Sequence, residues 1–326
     1  MTNVQAASVP LASHCFLGDQ PGPRLIILGA VHGNETCGTR AIERLLLSLG
    51  RGDTRLLRGQ LTLVPVCNPL AFEQGRREGD RNLNRRLQPT EQPVDFEDHM
   101  ANALCPLLAE HEVLLDLHSF HTPGEPFVMI GPPDNDGTLE PFAHAHAEVR
   151  LARHLGGNRI VEGWLDTYAR GMAQRRQWAL TQGEQAVDLD PSYGVGTTEY
   201  MRSVGGYGVT LECGQHDDPA APEVAWQAIM QTLSLLGMIE RPLVAPRALP
   251  LLMRLTEVND RWHPQDRLTR DWQSFDAVQQ GQVVGHRHDG QAVAAPQDGW
   301  VVFPNPGAQV GSEWFYLAQR SDRSLD

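Results

Sequence analysis

The chain reads as an α/β protein: a mixed sheet flanked by helices, followed by a smaller C-terminal β domain. Three observations predict this class. Up to about residue 240, short apolar strand-like runs alternate with segments of helical period, the pattern of a parallel or mixed sheet with helices on both faces. The polar residues capable of chemistry collect where those apolar runs end, the edge at which open α/β sheets form ligand sites. Beyond Arg241 the texture changes, with Pro242, Pro246 and Pro250 marking a connector into short β-type segments separated by Gly and Pro turns. The expected division is a catalytic α/β domain over residues 1–243 and a β domain over 244–326.

The elements follow in order. Leu25 to Leu28 is a short apolar strand, and Gly29 to Glu35 is the loop after it. Ile42, Leu45, Leu46 and Leu49 recur at helical spacing and predict a helix from Thr36 to Leu49. Leu61 to Val66 predicts a strand closed by Asn68-Pro69, Phe96 to His111 a helix, and Val113 to Leu117 a continuous apolar strand ended by His118. Phe127 to Ile130 predicts a strand stopped by Gly131-Pro132-Pro133, and Phe142 to Leu155 a helix. Gly208 to Leu211 predicts a strand ending at Glu212, and Val224 to Met238 a helix. In the C-terminal part, Gln282–Gly285, Gln291–Val293 and Gly299–Phe303 predict short strands.

Composition narrows the function. At 326 residues and 41% hydrophobic, the chain can bury at least one large core. Its formal charge of −13, with no long basic segment, argues against nucleic acid and anionic membranes as partners. All 27 basic residues are arginine, so Schiff-base chemistry, lysine-dependent phosphate loops and lysine-borne cofactors are excluded. The five cysteines are scattered and form no Cys-x-x-Cys pair, the usage of a reduced protein. The first twenty residues lack the basic start and apolar core of a signal peptide, and no stretch approaches the ~18 apolar residues of a membrane span. The expectation is a soluble, cytoplasmic protein.

Three distant pieces would together make an open zinc site: His32-Gly33-Asn34-Glu35, Asp116-Leu117-His118 and Leu211-Glu212-Cys213-Gly214. Two His and one Glu are the ligand set of a catalytic zinc, because three protein ligands leave a position for water. A further Glu beside the metal can move that water's proton. Each piece also has a plainer reading. His32 and Glu35 alone would serve as polar residues of a surface loop, or Glu35 as an acid favourable to a helix start. A single histidine after an apolar run, such as His118, is more often a hydrogen-bonded core residue than a ligand, and His121 competes with it. Asp116 shares the face of His118 if the strand runs on, where it would orient the ring. Glu212 would otherwise be a solvent-facing acid at a sheet edge. Arg76, Arg77, Arg81, Arg85 and Arg86 gather within one loop and are expected to form an anion-attracting patch.

These motifs, with Asn68-Pro69 and Asn82-Leu83-Asn84-Arg85, occur in an order that resembles the succinylglutamate desuccinylase and aspartoacylase family, zinc amidohydrolases related to the zinc carboxypeptidases. The likeness spans about residues 24–240, and Val301 to Pro306 is similar to the family's C-terminal β domain, which narrows the active-site entrance. The resemblance implies a zinc-carboxypeptidase-like fold and one zinc ion held by His32, Glu35 and His118. It implies Glu212 as general base and acid, and Arg77, with Arg76 one residue away, as the group on the carbonyl oxygen. Asn84 and Arg85 would grip the substrate carboxylate. The implied reaction is hydrolysis of a small acidic N-acyl amino acid, of N-acetyl or N-succinyl type. One departure is visible: the family commonly has Asp where this chain has Asn82.

The rival within enzymes is a metallocarboxypeptidase acting on peptides. A biotin- or lipoate-carrying module, suggested by Val293 to Gly311, fails for want of lysine. A catalytically dead zinc protein conflicts with retention of all three ligands and Glu212. A homo-oligomer is left open, because Trp226 and the apolar helix after it would serve a core or an interface equally well.

Overall fold

A computed structural model describes residues 11–181, 190–246 and 249–325. The elements of the first part are β1 (His14–Leu17), β2 (Gln20–Leu28), α1 (Cys37–Arg51), β3 (Arg58–Val64), α2 (Pro69–Glu73), α3 (Phe96–Ala109), β4 (Val113–Phe120) and β5 (Phe127–Met129). They are followed by α4 (Ala145–Arg153), β6 (Arg159–Glu162), α5 (Trp164–Thr181), α6 (Thr197–Ser203), β7 (Tyr207–Gln215) and α7 (Ala221–Leu235). The C-terminal part is all β: β8 (Leu251–Asp260), β9 (Arg267–Leu268), β10 (Ala277–Val278), β11 (Val283–His286), β12 (Ala292–Ala294), β13 (Gly299–Val302) and β14 (Glu313–Arg320).

Eleven strands make one mixed sheet in the order β1-β3-β2-β4-β7-β5-β6-β8-β14-β13-β10, and β12-β11-β9 make a small second sheet. Strand β4 runs parallel to both neighbours, β2 and β7, and is buried along its whole length. The period-2 alternation of a strand explains its unbroken apolar run, because both faces are covered. Leu25, Ile27, Leu115 and Leu117 pack with Ile42 and Leu45 of α1 and Ile229 and Leu233 of α7. Ile26, Leu28 and Leu114 point the other way, onto Met100, Leu104 and Leu108 of α3. Trp226 belongs to the first of these cores, with the Arg44 guanidinium 4.0 Å above its ring.

Two sequence expectations need correction. His118 and Glu212 do not lie past their strands; β4 continues to Phe120 and β7 to Gln215, so both residues sit inside the sheet near its C-terminal edge. The hydrogen-bond ladder carries on through them because each pairs with the other across the two strands. Helix α5 was not anticipated. Its buried Leu165, Tyr168 and Met172 have helical spacing, but arginines and glutamines interrupt the stripe.

The C-terminal strands extend the same sheet. Strand β8 lies parallel to β6, with Arg159 beside Leu251, and β14 runs antiparallel to β8. The change of texture after Arg241 therefore marks a change in local architecture while the main sheet continues across it.

Candidate active site

The loop between β2 and α1 carries His32 and Glu35, both buried. It lies hard against α2: a Cβ at Gly33 would meet the Ala71 carbonyl carbon at 2.1 Å, so only glycine fits. Asn68 starts α2 by accepting from the Ala71 amide, and its side-chain amide donates to Glu97 Oε1 at 2.8 Å. Fully buried Glu97 also accepts from the backbone amides of Gly79, Asp80 and Arg81 at 2.9–3.1 Å. Asn68 and Glu97 thereby fix the loop that presents Arg77, Asn82, Asn84 and Arg85.

At the C-terminal edge of β4 and β7, His118 stands in register with Glu212, and paired positions of neighbouring strands share a face. His32, Glu35 and His118 converge, with one ligand atom of each lying within 4.8 Å of the others. Nδ1 of His32 is 2.9 Å from Oε1 of Glu35, and Nδ1 of His118 is 2.9 Å from Oε2. Both imidazoles are oriented from behind. Nε2 of His32 is 3.1 Å from Asn82 Oδ1, and Nε2 of His118 is 2.9 Å from Asp116 Oδ2. The structure thus brings together every ligand named from the sequence, gives Asp116 the orienting position, and leaves His121 outside the cluster, on the cavity rim.

The donor set suits a divalent cation. His32 Nδ1 is buried and faces Glu35 Oε1 at 2.9 Å without hydrogen-bond alignment, so both donor atoms turn towards one point, as ligands of a shared cation would. Burial, then Arg77, lowers the His32 pKa to about 3 against the pull of Glu35, so the ring is a neutral ligand. Burial opposes charge on His118 and Glu35 too, but it is overcome: Asp116 and Glu35 push His118 up, and the two imidazoles pull Glu35 down.

Glu212 is buried, with Oε2 lacking any hydrogen-bond partner. Burial first and Glu35 second raise its pKa to about 8, opposed by His118 and Arg77. Arg77 reaches Glu35 Oε1 at 2.8 Å. The expected arginine patch is not formed as a patch. Arg81 pairs with Asp95 and Asp98 at 2.9 and 2.8 Å, and Arg85 is buried, 3.2 Å from Glu313 and stacked on Trp164 and Tyr168. Arg76 remains exposed at the cavity rim.

Asn84 links these parts. Its amide donates to Asn82 Oδ1 at 2.9 Å, and its Oδ1 accepts from the Thr197 amide at 2.9 Å. The hydroxyl of buried Thr197 donates to Asp116 Oδ2. A closed chain of polar contacts therefore runs His32, Asn82, Asn84, Thr197, Asp116, His118. Gly196 permits it, since a Cβ there would lie 2.2 Å from Asn84 Oδ1. Sequence reading missed Thr197, Glu313 and Tyr316, which all bear on the site from remote segments.

His32, Glu35, Arg77, Asn84, Arg85, His118 and Glu212 all line a cavity of about 760 Å³. Residues 21–152 match the succinylglutamate desuccinylase/aspartoacylase catalytic domain. Over this segment the chain is similar to the succinylglutamate desuccinylase/aspartoacylase family. That family consists of acyl-amino-acid amidohydrolases. The fold agrees with solved structures. The product-bound ectoine utilization protein EutE (DoeB) from Ruegeria pomeroyi superposes with a TM-score of 0.69 at 18% identity, covering 95% of this chain and 88% of that one. A succinylglutamate desuccinylase/aspartoacylase from Rhodobacter sphaeroides gives 0.69 at 18%, covering 93% and 88%. An aspartoacylase family protein from Mesorhizobium loti gives 0.63 at 19%, covering 95% and 89%. Among the described residues, no helix is long and apolar enough to cross a membrane.

Proposed function

We propose that the protein is a zinc-dependent amidohydrolase that cleaves the amide of an N-acyl amino acid to a carboxylate and a free amino acid. The observation that carries this reading is the pairing, in one cavity, of a buried His-Glu-His cluster with the carboxylate of Glu212, whose Oε2 is buried and unpartnered. One zinc ion per chain would be held by His32, Glu35 and His118. A bound zinc supplies Lewis acidity towards water and the scissile carbonyl.

The chain's own groups do the rest. Glu212 takes the proton of the attacking water and returns it to the departing amine. Glu35 now opposes ionisation of Glu212, and neutralising Glu35 by a cation on the His32–Glu35–His118 cluster would favour the basic form of Glu212. Arg77, already within 2.8 Å of Glu35, stabilises the oxyanion as it develops, with Arg76 beside it at the rim. Arg85 and the side-chain amide of Asn84, whose Oδ1 is committed to Thr197, bind the substrate carboxylate. Residues 1–243 supply this machinery. Residues 244–326 narrow the entrance, a role supported by Phe303, Asn305, Gln309 and Tyr316 on the cavity wall.

The test is elemental analysis of the purified protein, followed by amine release from a panel of N-acyl amino acids, with peptides alongside. Stoichiometric zinc and N-acyl amino acid turnover abolished by a chelator are expected. A metal-free protein that hydrolyses these amides equally well would overturn the reading, and preference for peptides would move it to a metallocarboxypeptidase.

A further inference from the structure

Resting on the amidohydrolase reading, we infer that this cavity selects N-acyl amino acids that carry a single carboxylate and an apolar or aromatic side chain, in preference to dicarboxylic substrates. Two independent features of the cavity point there.

The first is a continuous aromatic wall. The Arg85 guanidinium lies 4.8 Å over the Trp164 ring. Trp164 is 5.5 Å from Tyr316, Tyr316 is 6.2 Å from Phe303, and Phe303 is 6.3 Å from Phe120, centroid to centroid. All four rings line the cavity, and Phe120 lies two residues beyond His118 on β4. The wall therefore connects the proposed carboxylate grip to the proposed metal centre. A substrate spanning those two points lies along it and places its side chain against aromatic surface, where apolar burial is favourable at roughly 25 cal/mol per Å².

The second feature is the state of the cations. Arg85 is matched by Glu313, whose carboxyl, though burial would raise it, is held down at about 2 by Arg85 and Arg175. Arg77 is matched by Glu35. Arg202, buried in the cavity lining, meets Glu140, Glu148 and Glu199. Among the described residues that line the cavity, Arg76 is the arginine without an ion pair, and it sits exposed at the rim. With Arg85 engaged by the first carboxylate, Arg77 by Glu35 and the oxyanion, and Arg202 by three acids, a second carboxylate placed against the aromatic wall and away from Arg76 would lie unpaired, and an unpaired buried charge is costly. The phenol of Tyr316, its Oη buried and without a hydrogen-bond partner, offers a neutral donor in place of a charge.

The experiment compares kcat/KM of the zinc-loaded protein for N-acetyl-L-phenylalanine and N-acetyl-L-leucine with N-acetyl-L-aspartate and N-succinyl-L-glutamate. The apolar pair is expected to be favoured by at least about tenfold, the lower end of what an apolar pocket discriminates. Equal or better turnover of the dicarboxylates overturns the inference. Phe303→Ala separates a substrate wall from a structural role: its KM should rise about tenfold more for N-acetyl-L-phenylalanine than for N-acetylglycine, and an equal rise for both overturns the wall. Should no amide be cleaved, the amidohydrolase reading falls, but the selectivity is still decided by calorimetric Kd values for the same compounds. A tighter Kd for the apolar pair supports it and the reverse order overturns it.

Discussion

The cavity floor carries two clusters of buried charge that differ in how completely they are satisfied. Around Arg202, every carboxylate is engaged. Glu148 accepts from Arg202 and from the amides of Gly131 and Gly208, while Glu199 accepts from the Gly196 amide and Thr198 as well as Arg202. Around Glu35, by contrast, Asp116 Oδ1 and Glu212 Oε2 are buried with no hydrogen-bond partner, and His32 Nδ1 meets only the Glu35 carboxylate, at 2.9 Å. Unmade hydrogen bonds at buried groups cost about 1–3 kcal/mol each. A fold that bears such a cost at one cluster and avoids it at its neighbour separates a site prepared for a ligand from one that holds the structure together.

The contrast breaks most visibly under substitution of the reacting groups. Glu212→Gln is expected to keep its zinc and lose about 10²–10⁴-fold in kcat, whereas His118→Ala should lose both zinc and turnover, read by metal content beside amine release. A Glu212→Gln protein with wild-type kcat would remove Glu212 from the chemistry. On the other side, Arg202→Met leaves three carboxylates without their cation and should destabilise the fold by about 3–5 kcal/mol in urea titration. A change under 1 kcal/mol would show that the Arg202 cluster is not structural.

Smaller changes sharpen the line between the two. Thr197→Val removes the hydroxyl on Asp116 but keeps the amide on Asn84, so zinc affinity measured by chelator competition should fall about 10–100-fold, with Thr197→Ser restoring it. Unchanged affinity in the valine variant would leave Asp116 oriented without it. The smallest effect concerns Glu140, whose pKa burial raises from the ordinary 4.5 to about 7, against the pull of Arg202. The folded chain holds this proton through a window in which the unfolded chain has released it, so stability falls as pH rises from about 4.5 to 7. Glu140→Gln should flatten that slope and gain about 1–2 kcal/mol at pH 8, seen as a higher midpoint in denaturant. A steeper slope in the variant would contradict the assignment.

The sequence made the His32–Glu35–His118 cluster legible because a catalytic cation would require particular residue types at strand ends, and β2, β4 and β7 announce themselves as apolar runs before His32, His118 and Glu212. Asp116 was readable by period 2 alone. The groups that orient and charge-balance the site were not readable, because their partners are set by topology. Thr197 finds Asp116 from 81 residues away and Asn84 from 113, and Glu313 meets Arg85 across 228. The arginine loop misled for the same reason. Five cations close in sequence suggest one patch, yet Asp95, Asp98, Glu35 and Glu313 arrive from other segments and divide it. The β character of the C-terminal segment was visible in its turns, but a run such as Leu251–Asp260 does not say which strand it will lie beside.

That last pairing sets how traffic reaches the chemistry. Because β8 is hydrogen-bonded along β6 and β14 along β8, the segment bearing Phe303 and Tyr316 is riveted to the same sheet that bears His118. Ceiling and floor are thus joined by backbone hydrogen bonds through a shared sheet. Whatever enters the cavity must therefore pass side chains of residues 303–313 and Tyr316, which that shared sheet holds beside the chemistry.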